Sequence, residues 1–417
     1  FLDCSNLQGI AFQSPPSLLT VPDYTFAGLP KVTAIAIPNS VVTLHDNVFR
    51  GSSNLADITF DDACQISTLP NRLFAGLPNI TTVTVPNSVT SFGDNIFQDC
   101  DNLQSITFQS PPSLEILPDF TFANLPSLAS IAIPNSVVTL HDNVFRGSSN
   151  LAEITFDDAC RVETLPNRLF AELPKLTALT VPNSVTSFGD NIFQDCDNLQ
   201  SITFQSPPSL EILPDFTFAN LPSLASIAIP NSVVTLHDNV FRGSSNLAEI
   251  TFDDACQIST LPNRLFAGLP NITTVTVPNS VTSFGDNIFQ DCDNLQSITF
   301  QSPPSLLTVP DYTFAGLPKV TAIAIPNSVV TLHDNVFRGS SNLADITFDN
   351  VCQISVLPNR LFAGLPNITT VTVPNSVTSF GDNIFQHCDN LQSVTFQSPP
   401  SLEILPDFTF TNLPSLA

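Results

Sequence analysis

Apolar residues recur along this chain in a short string, Leu-x-x-Ile-x-Phe or Leu-x-x-Ile-x-Ile, as at 103–108, 128–133, 151–156 and 176–181. Within each string the residues three and five places after the Leu alternate with polar neighbours, the period-two pattern of a half-buried strand. In the shorter repeats the string runs into Ile133-Pro134-Asn135-Ser136-Val137. Proline has no N–H to give to a ladder, so Pro134 ends the strand and Asn-Ser turns the chain. A second apolar pair, Val137 and Leu140, follows, and then Phe145. Such a Phe closes every repeat: Phe97, Phe122, Phe145, Phe170 and Phe193. Three residues before each stands Asp94, Asp119, Asp142, Asn167 or Asp190. An Asx side chain there is expected to cap a short helical or 3-10 turn by accepting a backbone N–H. The Phe then points inward and stacks on its copies as an aromatic spine.

The strings start 25, 23, 25 and 23 residues apart, and these four steps make one larger period of 96. Super-repeats begin at residues 1, 97, 193, 289 and 385, and residues 97–160 are identical to 193–256. The expected fold is a repeat solenoid of about seventeen coils of roughly 24 residues, within the leucine-rich-repeat range. It carries one short parallel β-strand per coil and irregular or 3-10 turns on the convex side. Residues 1–417 read as one such solenoid, because each coil buries its face only against its neighbours.

The run Leu-x-x-Ile-x-Ile-Pro-Asn-Ser-Val-x-x-x-x-Asp-Asn-x-Phe resembles the BspA-like leucine-rich repeat of bacterial and protist surface proteins. The segment Phe97-Gln98-Asp99-Cys100-Asp101-Asn102-Leu103 is similar to that family's Phe-x-x-Cys-x-x-Leu. The resemblance covers the whole chain. The 25-residue repeats depart from it, with Ser110-Pro111-Pro112-Ser113 or Asp157-Asp158-Ala159-Cys160 in place of Pro-Asn-Ser-Val. The resemblance implies an extracellular or cell-surface protein engaged in adhesion or interaction.

Composition narrows the partners. Twelve Lys+Arg stand against 37 Asp+Glu, a formal charge of −25, which argues against nucleic acid because phosphate contacts need surplus cations. No run of 18 apolar residues exists, so no helical membrane span is expected in this segment. There is no G-x-S-x-G, H-E-x-x-H, G-x-G-x-x-G or P-loop. Neither catalytic nor cofactor-binding residues are assigned, and the chain is read as a non-enzyme.

The nine cysteines form two series, Cys4, Cys100, Cys196, Cys292 and Cys388, and Cys64, Cys160, Cys256 and Cys352. They occupy different offsets of the repeat and are read as buried or free thiols, with a disulfide as the alternative. His45, His141, His237 and His333 recur every 96 residues. That is about 19 Å along a stack of strands, too far to share a metal. The pairs Asp61-Asp62, Asp157-Asp158 and Asp253-Asp254 are too few for a calcium loop, and no metal ligand is assigned.

Asn79-Ile-Thr, Asn271-Ile-Thr and Asn367-Ile-Thr are N-x-T sequons at one offset of the repeat, and Asn350-Val-Cys is a weaker N-x-C variant. They are the candidate N-glycosylation sites. The Ser-Pro-Pro-Ser turns are either carriers of O-linked sugars or rigid edge turns.

The chain begins at a spine Phe and ends just after a strand Leu, with no capping repeat and no Met. It is therefore expected to be a segment of a longer array. The exposed strand positions carry small residues such as Ala129, Ser130 and Ala132. From these features the expected function is an extracellular structural protein, glycosylated and extended head-to-tail into a surface fibre. The alternative is an adhesion module that binds a protein or carbohydrate ligand on its concave face.

Overall fold

The computed structural model describes residues 1–13, 17–349, 351–407 and 409–417. They form two compact bodies, Phe1–Leu210 and Glu211–Ala417. Each body is a stack of parallel β-coils, and no helix occurs among the described residues. The expected repeat solenoid is therefore the observed fold.

After the first string at 7–12, which forms no strand, the coils open with a four-residue strand where the apolar string places it, for example Ser130–Ile133 and Glu153–Phe156 in the first body. These two pair in parallel, with Ile131 opposite Ile154 and Ala132 opposite Thr155. Alternation buries Ile131 and Ile133 and leaves Ser130 and Ala132 exposed. The second apolar pair also becomes extended, in a two-residue strand such as Thr139–Leu140, whose Leu is buried and Thr exposed. From Ala34 to Phe380 a long strand thus alternates with a short one, where the sequence suggested only the long one.

Step length decides where the long strands pair. Ala34–Ile37 pairs with Asp57–Phe60, and Thr82–Val85 with Ser105–Phe108, each across a 23-residue step. At the 25-residue steps between them, two more residues enter the connection and this ladder lapses. The lapse alters the fifth position of the string. Ile37 and Val85 are buried there, whereas Phe60, Phe108 and Phe156 remain partly exposed.

The spine forms as expected. In the first body Phe26, Phe49, Phe74, Phe97, Phe122, Phe145, Phe170 and Phe193 stack in sequence. The narrowest centroid separation is 5.4 Å and the widest 6.3 Å, with ring planes between 2° and 22° apart. The second body repeats this from Phe218 to Phe410, with centroids 5.5–6.4 Å apart. Near-parallel stacking at this distance is a favourable offset geometry for aromatic rings.

The Asx residues do something other than cap their own turn. Asp46 Oδ1 and Oδ2 accept from Asn71 N and Nδ2 at 3.2 and 3.0 Å, and Asn71 Oδ1 accepts from Asp94 N at 2.7 Å. Asp46 and Asn71 therefore each bind the following coil and link three coils in succession. Stacking brings the next coil's amide within reach, and that amide has no carbonyl partner of its own in the turn. Asn at every fourth place both donates to one neighbour and accepts from the other, which a row of carboxylates alone cannot do. The chain passes close by here: a Cβ on Gly189 would lie 2.5 Å from Asn167 N and 2.6 Å from Pro166 C. Only a residue without a Cβ fits beside that backbone.

Candidate functional site

The nine cysteines are all free thiols, and eight are buried. Those of the first series after Cys4 share a role with serine. Ser148 Oγ donates to Phe122 O at 2.6 Å and accepts from Leu125 N at 3.0 Å. In the alternate coils Cys100 and Cys196 donate to Phe74 O and Phe170 O at 3.0 and 2.9 Å. Burial pushes the thiols of Cys100, Cys196, Cys292 and Cys388 up to about 12. Flanking aspartates add to the effect, and a backbone N–H from the preceding coil opposes it. Such thiols are structural hydrogen-bonding groups with little nucleophilic character.

The sequon residues Asn79, Asn271 and Asn367 are exposed, as are Thr81, Thr273 and Thr369. Asn79 Nδ2 donates to Ser53 O at 3.0 Å and to Asn54 Oδ1 at 3.3 Å. Asn367 Nδ2 likewise reaches Asn342 Oδ1 at 3.3 Å. Lys175, at the same offset, donates to Asn150 Oδ1 at 2.6 Å. The position thus joins neighbouring coils whichever residue fills it, and the three Asn lie on separate coils. Asn350 lies outside the described residues, and the Cys352 of that N-x-C sequence is buried. The histidines stand apart in the same way, with His45 Nδ1 3.9 Å from Asp23 Oδ1 and both side chains at least half exposed. Among the described residues no group of three His, Cys, Asp or Glu is placed to hold a metal ion.

A feature the sequence did not single out lies beside the long strands. Where the ladder lapses, the partly exposed Phe residues of alternate coils wall a groove floored by the Ile-Pro-Asn turn between them. In the first body one such groove, about 580 Å³, runs between Phe12 and Phe60, over Ala36 and Pro38, with Asp61 at its edge. In the second body one of about 500 Å³ runs between Phe300 and Phe348, over Ala324 and Pro326, with Asp349 at its edge. The two occupy the same place in the repeat.

Each super-repeat also contains a second version of this site, closed in two ways. Its floor carries Thr84 bonded to Thr107 at 3.1 Å, and Gln109 Oε1 accepts from Asn87 N at 3.2 Å across the edge. The open version has Ala36 in place of Thr84 and Asp61 in place of Gln109. Asp61 turns back to accept from Ala63 N at 3.0 Å through Oδ1. Two separate substitutions therefore accompany the open groove seen in each body. The Thr-Thr-Ala-Thr order and the Gln/Asp alternation are visible in the sequence. That they meet becomes evident only once the stacking register is known.

The fold and its grooves define a leucine-rich-repeat solenoid with a recurrent surface site. The family model for the BspA type leucine rich repeat region matches overlapping stretches 1–103, 67–200, 163–296, 259–392 and 307–417. The chain belongs to that family. Among solved structures it is similar to a leucine-rich repeat protein from Bacteroides ovatus, at 22% identity and TM-score 0.55, covering 93% of this chain and 85% of that one. A leucine rich cell surface protein from Faecalibacterium prausnitzii is 20% identical with TM-score 0.37, covering 94% of this chain and 88% of that one. A leucine-rich repeat protein from Eubacterium ventriosum is 21% identical with TM-score 0.40, covering 85% of each. No curated protein sequence matches the chain. Among the described residues no helix is long and apolar enough to cross a membrane.

Proposed function

We propose that the chain is a module of an extracellular, cell-surface protein that binds an extended ligand multivalently through its open grooves. The observation that carries this reading is the recurrence of one Phe-walled, Ala-floored groove at a fixed offset in both bodies. A single shallow groove gives weak affinity, but several copies on one chain turn later contacts into intramolecular ones. Near-identity of the super-repeats suits this use, since every copy must present the same site. Ala36, Ala132, Ala228 and Ala324 are exposed on the strand face, so exchanging them for Gln fills the grooves with little cost to the core. Changing one copy should weaken attachment to a surface-immobilised ligand by a few fold, and changing all four should weaken it by at least about 100-fold. Equal binding by the parent and the fourfold variant would end this reading.

A glycosylated structural fibre, extended head-to-tail, is the second reading. It is favoured by the exposure of Asn79, Asn271 and Asn367 at one offset and by ladders in which each coil completes its hydrogen bonds on the next. Electron microscopy of native material, with intact mass before and after deglycosylation, should then show filaments and a loss of mass. Short, separate particles of unmodified mass would exclude it.

A further inference from the structure

The open grooves have a chemistry of their own. Their side walls are phenyl rings, whose faces are attractive to cations. Each has at its edge an exposed carboxylate, Asp61 or Asp349, with Oδ1 engaged by a local amide and Oδ2 left open. The strand that carries the second wall begins with another exposed acid, Asp57 or Asp345. No Lys or Arg lines either groove. The surrounding chain, with 37 acidic and 12 basic residues, adds a negative field that concentrates cations at such a site.

We propose that each open groove receives a Lys or Arg side chain from an extended basic polypeptide, its aliphatic stem between the Phe walls and its charge at the Asp edge. This proposal rests on the multivalent groove reading above. The two grooves lie one in each body, and each has room for a cationic side chain between its walls. The partner is thereby defined as an extended basic segment that gives a groove a single Lys or Arg.

The test uses the whole chain and fluorescence anisotropy with two labelled extended peptides of equal length. One carries Arg at spaced positions and the other carries citrulline, the neutral isostere, at the same positions. The spaced-Arg peptide should bind at least about tenfold more tightly than the citrulline peptide. Asp61→Asn, Asp157→Asn, Asp253→Asn and Asp349→Asn together should remove that advantage. Asp101→Asn, Asp197→Asn, Asp293→Asn and Asp389→Asn, which remove the same charge from exposed turns elsewhere, should retain most of it. Equal binding of the citrulline peptide, or equal loss in the two Asn sets, would overturn the proposal. A neutral glycan array bound in place of the spaced-Arg peptide, and lost in the fourfold Ala→Gln variant, would overturn it while leaving the multivalent reading standing. Binding of neither would remove both.

Discussion

Phe145→Ala should destabilise the first body by about 3–5 kcal/mol, the range for removing a large buried aromatic side chain. The ring is fully buried, 5.8 Å from Phe122 on one side and 5.9 Å from Phe170 on the other. Its loss removes two ring contacts as well as the transfer free energy of the side chain. Phe145→Leu retains most of the apolar volume and should cost less than half as much. In a stack held by nearest-neighbour contacts the damage is local before it is global. Hydrogen exchange should therefore accelerate first at the amides of Phe122, Phe145 and Phe170, which bond to Val144 O, Leu169 O and Ile192 O. Amides several coils away should keep their protection. Uniform acceleration throughout the chain, or none at those three amides, would show that the spine is not what couples neighbouring coils.

That expectation could be framed from the sequence, because a Phe at a constant offset in every repeat has few other uses. The long strands were legible for the same reason: two alternating apolar positions after a Leu specify one buried face. What escaped was whatever depends on the neighbouring coil. Asp46 and Asn71 look like local caps when a single repeat is read alone, yet their partners are Asn71 and Asp94, one coil onward. Phe60 and Ile37 occupy the same offset of the string. They differ in burial because a 25-residue connection follows one and a 23-residue connection follows the other. The candidate site fell into this gap. Its parts, Phe12, Ala36, Phe60 and Asp61, lie on three successive coils, and no single-repeat motif joins them. The cysteines were partly legible, since two series at fixed offsets of the repeat already read as buried or free thiols. The pair of backbone groups that Ser and Cys both satisfy required the structure.

The buried thiols lead to the second large effect, a loss of stability in alkali. Cys100, Cys196, Cys292 and Cys388 lie at about 12 in the folded protein, against an ordinary value of 9.0. Below pH 9 the thiols are protonated in both folded and unfolded chains, and the stabilisation they give is fully present. Between pH 9 and 12 only the unfolded chain releases these protons, so stability falls as pH rises. Each thiol should contribute a slope of about 1.4 kcal/mol per pH unit and a total of roughly 4 kcal/mol by pH 12. Two of the four lie in each body, so each body carries a steep alkaline transition. Urea midpoints measured from pH 7 to pH 11 should be level up to about 9 and decline beyond it. Replacing all four with Ser should flatten that decline. The hydroxyl does not ionise in this range, and Ser148 already makes the same bonds to Phe122 O and Leu125 N. Replacement with Ala should flatten it too, but at a lower midpoint at every pH, because the backbone carbonyl of Phe74 and its counterparts lose their donor. A serine variant that declines as steeply as the parent would assign the alkaline transition to other groups.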